Sequence, residues 1–239
     1  MNAIERISQR LPAPLRRGTT VVAALTILVL LAVALLAPWV ATHSYRQQNL
    51  DARLLPPGSA YLLGTDALGR DVLSRLIYGA RASLAVAAVV MGIELALGIL
   101  LGLLAGYYGK ALDTVIMRVA DMMFAFPDIL LAILITGILG PSLFNVVLAL
   151  ALVGWPGMVR LVRGQVLALR DKEFVEAARA LGASDLRILV RHLLPSLAGP
   201  VLVAATVGTG SVILAEATLS FLGLGMQPPE PSWGSMIAE

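Results

Sequence analysis

Three acidic residues stand inside stretches of sequence that are otherwise almost free of charge: Glu94, Asp128 and Glu216. A carboxylate in hydrocarbon is costly, so each should face other helices or a wet cavity. Such an acid either pairs with a neighbouring helix for structural reasons or lines a polar pathway for ions or solutes. The residue types favour the structural role for Glu94 and Glu216. They leave Asp128 available to cap backbone amides or to contact another helix.

The other residue types point away from catalysis. The sequence has no cysteine, and its two histidines, His43 and His192, stand far apart, so neither thiol chemistry nor a tight metal site is expected. Neither lysine, Lys110 or Lys172, stands in the glycine-rich loop that wraps phosphates in ATP-hydrolysing proteins. We therefore expect neither redox chemistry nor a tight metal site, and no ATP hydrolysis by this chain. Energy for any transport must come from an ion gradient or from a partner.

The composition is that of a membrane protein. Of the 239 residues, 58% are hydrophobic and 14% are charged, against roughly 45 to 50% and roughly 25% in soluble domains. A helix rises ~1.5 Å per residue, so about 20 apolar residues cross a ~30 Å hydrocarbon layer. We predict an all-α, polytopic membrane bundle with these spans: 21–40, 83–108, 114–139, 142–159 and 196–224.

The basic residues predict the orientation of these spans, because they concentrate on the cytoplasmic side of membrane proteins. Four arginines lie in the N-terminal segment 1–20, two bases lie between the second and third spans or at the start of the third, and seven lie in the loop 160–195. The other five fall in the outer loop 41–82 and strain the rule. We predict a multi-pass protein of the cytoplasmic membrane with its N-terminus in the cytoplasm.

The outer loop contains a helical pattern that follows Thr65, a candidate N-cap. Apolar residues recur on one side, at Leu68, Val72, Leu73, Leu76 and Ile77. Polar residues fall on the other side, at Arg70, Asp71, Ser74 and Arg75. The pattern predicts a separate amphipathic helix at the membrane surface, which either rests on the bilayer and its neighbours or serves an outside partner as a docking surface.

Glycines repeat every four residues in the second span, at Gly98, Gly102 and Gly106. They leave one helix face without side chains, so another backbone can approach closely, and we predict helix packing there. Glu94 stands four residues earlier and projects from the same face.

The third and fourth spans contain residues that disturb helices. Pro127 lacks a backbone donor and should kink the third span, and the Gly-Trp-Pro-Gly sequence 154–157 should interrupt the fourth. Arg118 and Asp121 stand three residues apart on the third span, a spacing that permits a structural ion pair.

The loop 160–195 is predicted to hold two short helices separated by a glycine. Asp171 can cap the first helix, which ends where Gly182 supplies the left-handed conformation typical of helix ends. Ser184 can cap the second helix, with Asp185 in its first turn.

The first of these two helices has a face with one aromatic residue beside small ones, formed by Phe174, Ala177, Ala178 and Leu181. Such a surface fits a groove in another protein. Periodicity alone equally allows the helix to lie against its own bundle.

This loop resembles the coupling loop of ABC importer permeases, whose pattern is E-A-A, three residues, G, nine residues and I-x-L-P. Glu176-Ala177-Ala178 precede Gly182 at that spacing, and Leu194-Pro195 close the pattern, with His192 at the isoleucine position. The segments LGTDALGRDVLSRLIYGAR at 63–81, FLGLG at 221–225 and PPEPSWG at 228–234 are similar to further signatures of one branch. That branch is the second permease subunit of dipeptide, oligopeptide and nickel importers.

The resemblance implies a type I ABC importer permease fold and ATP-driven, binding-protein-dependent import, with peptides the commonest cargo and nickel and glutathione as other solutes. It implies a paralogous permease as heterodimer partner, two cytoplasmic ATPases that use ATP and Mg, and an extracytoplasmic solute-binding protein. No cofactor bound by this chain and no nucleic acid is implied. The residues implied to couple this chain to the ATPase are Phe174, Glu176, Ala177, Ala178, Leu181, Gly182 and Asp185.

Two other functions explain less of the sequence. A secondary transporter or channel would use Glu94 and Asp128 as ion-coupling acids, which accounts for the acids but not for the loop. A membrane scaffold accounts for neither. The outer segment 225–239 contains no apolar run that could return to the cytoplasm, so we expect a functional chain to be longer by a sixth span.

Overall fold

The computed structural model describes residues 18–239 and shows a helical protein with one isolated antiparallel bridge between Thr65 and Asp71. The arginines that precede the first predicted span lie outside the described residues. The chain forms two compact units, one with the residues up to Leu84 and Pro229–Ser232, the other with Ala85–Pro228 and Trp233–Glu239. The helices are α1 Gly18–Leu35, α2 Ala37–Val40, α3 Val72–Tyr108, α4 Lys110–Phe124, α5 Asp128–Leu139, α6 Leu143–Leu169, α7 Glu173–Ala180, α8 Asp185–Ile188, α9 Leu194–Phe221 and α10 Trp233–Ala238.

Three helical segments of the described chain are long and apolar enough to cross a membrane: Val72–Tyr108, Leu143–Leu169 and Asp185–Phe221. The pair α4 and α5 makes a fourth if the two bent helices count as one span. Helix α1 is apolar over Thr20–Leu35 but is shorter than the others. It ends at Leu35, and a new helix starts at Ala37 with Pro38 in its first turn, where the missing backbone donor of proline is tolerated. The crossing predicted over 21–40 therefore consists of two helices.

The predicted separate amphipathic helix of the outer loop does not form. Helix α3 begins at Val72 and continues into the second predicted span without a break, because no proline separates the two parts. Thr65 does not cap a helix, since its hydroxyl donates to the carbonyl of Ala52 at 2.5 Å. The cap is Asp71, whose carboxylate accepts the backbone N–H of Ser74 at 3.0 Å.

The polar residues of the predicted amphipathic pattern, Arg70, Asp71, Ser74 and Arg75, are buried rather than exposed. Arg70 and Arg75 are 4% and 2% exposed, and both guanidinium groups donate to the carboxylate of Asp66, Arg70 from Nε at 2.7 Å. Burial alone would raise the pKa of Asp66, but hydrogen bonds from Arg70 and Leu68 outweigh it and hold that pKa below its usual range. Asp66 is therefore the shared counter-charge of two buried cations.

Asp66→Asn should lower the free energy of unfolding of this unit by about 2 kcal/mol, less than the ~3 to 5 kcal/mol of a fully buried pair, because its side chain is 14% exposed. Since the folded pKa is lowered, the stabilisation is present above the ordinary aspartate pKa of about 3.9 and disappears as the pH falls through the folded value. Thermal unfolding in detergent at pH 7 measures the loss. Asp51→Asn, at an exposed position of the same loop, is the control, and equal losses in both variants would contradict the assignment.

Glu230 joins the segment after the last long helix to the outer loop. Tyr45 donates its hydroxyl to Glu230 Oε2 at 2.8 Å, and Arg46 forms an ion pair with the same carboxylate. Both ends of this contact belong to the same compact unit. The predicted outer loop and the predicted outer segment therefore meet.

In the second unit, α6 is the central helix. It stays continuous through Pro156, so the predicted interruption at 154–157 is wrong. The helix buries both Trp155 and Met158, and close packing by neighbouring helices lets a membrane helix tolerate the missing donor. At Pro127 the chain breaks instead of kinking, and α4 and α5 are bent by 84°. Pro127 has extended geometry there, and Asp128 lies in the first turn of α5, where a helix favours negative charge.

Ion pairs connect α4 to α6. The predicted pair of Asp121 with Arg118 is wrong, because Asp121 accepts from Arg160 at 2.6 Å. One α6 turn further, Arg163 donates to Asp113 through Nη2 at 2.7 Å. The partners lie across the helix pair, where sequence spacing within one helix gives no information.

Candidate functional site

The glycine face of α3 lies directly against α6. A Cβ atom at Gly102 would lie 2.6 Å from Cβ of Val162 and 3.0 Å from the carbonyl oxygen of Val159, and one at Gly106 would lie 2.7 Å from Cβ of Val166. A Cβ at Gly98 would overlap Met158 in the same way. The three predicted packing glycines therefore hold two helices of the same chain together.

The loop between α6 and α9 contains one isolated helix, α7, rather than two. Gly182 follows it with φ +78°, the left-handed conformation that the sequence predicts. Asp171 is not the cap, because Lys172 occupies that position and makes no side-chain bond to the helix. Ser184 does precede α8, also without a capping bond. The second predicted helix is not separate, since α8 continues through a π-helical turn, Leu189–Leu193, into α9.

Helix α7 exposes part of the predicted docking face. Phe174 is 42% exposed and Leu181 is 89% exposed, and Glu176 and Ala177 are exposed as well. Ala178 is different, because it is buried against the bundle with Val175. Val175 and Ala178 stand three residues apart and form the inner face, a signal present in the sequence that the prediction missed.

A hydrogen bond connects this loop to the C-terminal end of α3, the helix that carries the packing glycines. The hydroxyl of Tyr107 donates to Asp185 Oδ1 at 2.7 Å, and the guanidinium of Arg179 lies 5.9 Å from the Tyr107 ring centre. Tyr107 directly follows Gly106 on α3. Arg170 of the same loop also donates from Nη1 to the carbonyl of Gly106 at 2.9 Å. Sequence reasoning did not identify these contacts, because the partners stand far apart along the chain.

Glu94 and Asp128 line the same cavity, which has a volume of about 270 Å³. Glu94 is 8% exposed and forms no hydrogen bond or ion pair with another described residue. Its carboxyl group occupies the space where a side chain at Gly154 would lie. Asp128, the first residue of α5, is exposed. The complete lining is Glu94, Asp128, Ile129, Leu150, Val153, Gly154, Gly208, Ser211, Val212 and Ala215.

Glu216 does not line this cavity. It is 1% exposed, and its Oε1 accepts a hydrogen bond from Ser220, one turn along the same helix, at 2.6 Å. Glu216 is thus a buried acid, as predicted from the sequence, and the hydrogen bond from Ser220 is made within its own helix rather than across to a neighbouring one. Within residues 18–239, no group of three or more histidine, cysteine or acidic side chains is placed to hold a metal ion.

Comparisons with known proteins agree with these features. Residues 98–239 match the family described as the binding-protein-dependent transport system inner membrane component. Residues 15–57 match the N-terminal transmembrane domain of oligopeptide transport permease C.

Curated relatives are similar over most of their length. A dipeptide transport system permease of Alkalihalophilus pseudofirmus is 47% identical, over 87% of this chain and 68% of that protein. A di/tripeptide transport system permease of Pseudomonas aeruginosa is 46% identical over 90% and 73%. A glutathione transport system permease of Pectobacterium atrosepticum is 43% identical over 94% and 75%.

Proposed function

Since this chain belongs to the binding-protein-dependent transport system inner membrane component family, as a permease of the oligopeptide permease C type, we propose that it forms half of the translocation pathway of a peptide importer. As a permease subunit it is a multi-pass, non-catalytic membrane component. Its transport system also contains an ATPase and a solute-binding protein. The other half of the pathway is a paralogous permease, and two ATPase subunits bind to the cytoplasmic side of the two permeases.

The exposed face of α7 carries this proposal. An aromatic and an aliphatic side chain, Phe174 and Leu181, protrude into solvent beside Glu176, while Val175 anchors the helix to the bundle. Exposed apolar side chains on a rigid helix are the usual form of a helix that docks in a groove. We assign this surface to the ATPase, with Gly182 setting the angle between α7 and α8.

The same contacts provide a mechanical route into the membrane. When the ATPases bind ATP and close, they displace α7, and Asp185 transmits the displacement to Tyr107 on α3. Helix α3 is locked to α6 along its glycines, so both helices move together. The two permeases then change from inward-open to outward-open, a rigid-body change between two packed states. ATP and Mg act on the partner subunits, and this chain binds no cofactor.

Peptides are the cargo that the relatives support. The names of the similar proteins specify dipeptides, di- and tripeptides, and glutathione, itself a small peptide.

The loop that contains α7 faces the cytoplasm, as the concentration of basic residues there predicts. The N-terminus is cytoplasmic by the same rule.

Uptake by the reconstituted complex tests the proposal. Proteoliposomes that contain both permeases and the ATPases, with binding protein added, should accumulate a radiolabelled dipeptide only with ATP. The alternative, a secondary transporter that uses Glu94 and Asp128 as coupling acids, requires uptake driven by a proton gradient without the ATPases. That result would overturn the importer assignment.

Tyr107→Phe should weaken coupling without unfolding the protein. It removes the hydrogen bonds of the Tyr107 hydroxyl with two charged groups at the surface, Asp185 and Arg179, together about 1 kcal/mol, and therefore lowers uptake per ATP hydrolysed by about fivefold. The ratio of dipeptide uptake to phosphate release measures the effect. The neighbouring Tyr108→Phe is the control, because Tyr108 is 45% exposed and only contacts the Tyr107 ring edge-on. An unchanged ratio in Tyr107→Phe would remove this residue from the route.

A further inference from the structure

The cavity beside Glu94 combines a buried acid with an absence of counter-charge. More than nine-tenths of Glu94 is buried, and no described side chain donates to its carboxylate or forms an ion pair with it. The lining residues contribute a second acid, Asp128, and one hydroxyl, Ser211, but no lysine, arginine or histidine. A buried carboxylate without a partner is costly, so an external cationic group is the chemistry that would complete this site.

The size and lining of the cavity distinguish among cations. Calcium and magnesium ions take about six or more oxygen ligands, whereas this lining offers two carboxylates and one hydroxyl among aliphatic residues, and no histidine or cysteine that would favour zinc. The volume of about 270 Å³ is close to the lower limit of pockets that hold small organic molecules, about 300 Å³. The site therefore fits an ammonium group attached to an organic body better than it fits an inorganic ion.

Four helices build the cavity, and each contributes a different part. Glu94 comes from α3, Asp128 from α5, Gly154 from α6 and Ser211 from α9. Gly154 is required because any side chain there would overlap the Glu94 carboxyl group. Relative movement of these helices would separate the acids, so a ligand held between them would be released when the bundle rearranges.

We propose that this cavity binds the protonated amino group of the peptide cargo, with Glu94 as its counter-ion and Asp128 and Ser211 as further acceptors. The identification of the amine with the cargo rests on the proposed function of peptide import. Apolar walls from Ile129, Leu150 and Val153 would contact the remainder of the peptide.

Charge-selective labelling tests the site without any cargo. The chain contains no cysteine, so Ser211→Cys in a complex with cysteine-free partners places one thiol in the cavity. The ratio of its labelling rates with the trimethylammonium and the sulfonate methanethiosulfonate should be about tenfold higher than the same ratio at a control thiol outside the cavity, because two acids concentrate cations there. Adding Glu94→Gln should return this ratio to within about twofold of the ratio at Ser196→Cys, an exposed position on α9 outside the cavity.

Protection by a peptide tests the cargo assignment. Glycylglycine should slow the labelling of Ser211→Cys, N-acetylglycylglycine should not, and Glu94→Gln should abolish the difference. A rate ratio at Ser211→Cys equal to that at Ser196→Cys, or equal protection by both peptides, would overturn the proposal. Failure of both reagents to react in the assembled complex would overturn it as well, since a neighbouring helix would then fill the cavity.

Dipeptide uptake by the wild-type complex separates this inference from the proposed function. Uptake without charge-selective labelling refutes the amine site and leaves peptide import intact. Charge-selective labelling that depends on Glu94, in a complex that transports no peptide, refutes the cargo assignment together with the proposed function.

Discussion

Gly182→Val should abolish dipeptide uptake while the permease still folds and assembles with its partners. Gly182 has φ +78°, and a valine there costs roughly 1 to 2 kcal/mol of backbone strain. Apart from its chain neighbours, no residue of the described part of the chain places an atom within 4 Å of the position where a Cβ would stand. The substitution therefore has space for its side chain and acts only through the backbone, by changing the angle between α7 and α8.

ATP hydrolysis measured beside uptake identifies the defect as uncoupling. Hydrolysis should continue in Gly182→Val without transport, and Gly182→Asn should retain most of the uptake because asparagine tolerates the left-handed conformation. Gly223→Val is the matched control, since Gly223 has φ +77° and the same open space at the end of α9. Wild-type uptake in Gly182→Val would show that this turn does not set the coupling geometry.

The turn at Gly182 could be predicted because every signal for it is local. A helix, a glycine at its end and a serine before the next helix lie within a dozen residues of sequence, and φ +78° follows from them. The glycine repeat of α3 is equally local. Its spacing of four residues specifies a bare face, although the sequence does not say that the partner is α6 of the same chain.

The contacts that sequence reasoning missed join residues far apart in the chain. Asp121 pairs with Arg160 across two helices rather than with Arg118 three residues away. The spacing of the outer-loop pattern predicts a surface amphipathic helix only if the side chains of Arg70 and Arg75 are solvated. Both pair with Asp66 in the folded chain, and burial of a paired charge leaves no periodic signature in sequence.

The convergence of Glu94 and Asp128 was also hidden from the sequence. Each acid could be recognised in an apolar stretch. Whether they line one cavity depends on the 84° bend between α4 and α5 at Pro127, and helical periodicity within one segment does not predict such a bend. Pro127 was expected to kink a continuous span. The larger bend starts a new helix at Asp128, and that helix contributes to the cavity in which Glu94 lies.

Gly102→Leu should prevent the permease from folding into a stable bundle. A Cβ at this position lies 2.6 Å from Cβ of Val162 and 3.0 Å from the backbone oxygen of Val159. The leucine adds three further carbons to that overlap, and the backbone of α6 cannot give way as a flexible side-chain end would. Overpacking in a core costs about 1 to 3 kcal/mol or more, and in a membrane no hydrophobic drive between helices offsets it.

Gly92→Leu on the same helix makes the comparison decisive. Gly92 is exposed, and nothing lies within 4 Å of the position where its Cβ would stand, so the same residue change adds the same apolar volume without touching α6. We expect Gly92→Leu to yield monodisperse complex in size-exclusion chromatography and Gly102→Leu to yield aggregate or no complex. If both variants elute as intact complex, α3 and α6 are not held together by the close approach of their backbones. The proposal that the two helices move together when the loop is displaced would then lose its support.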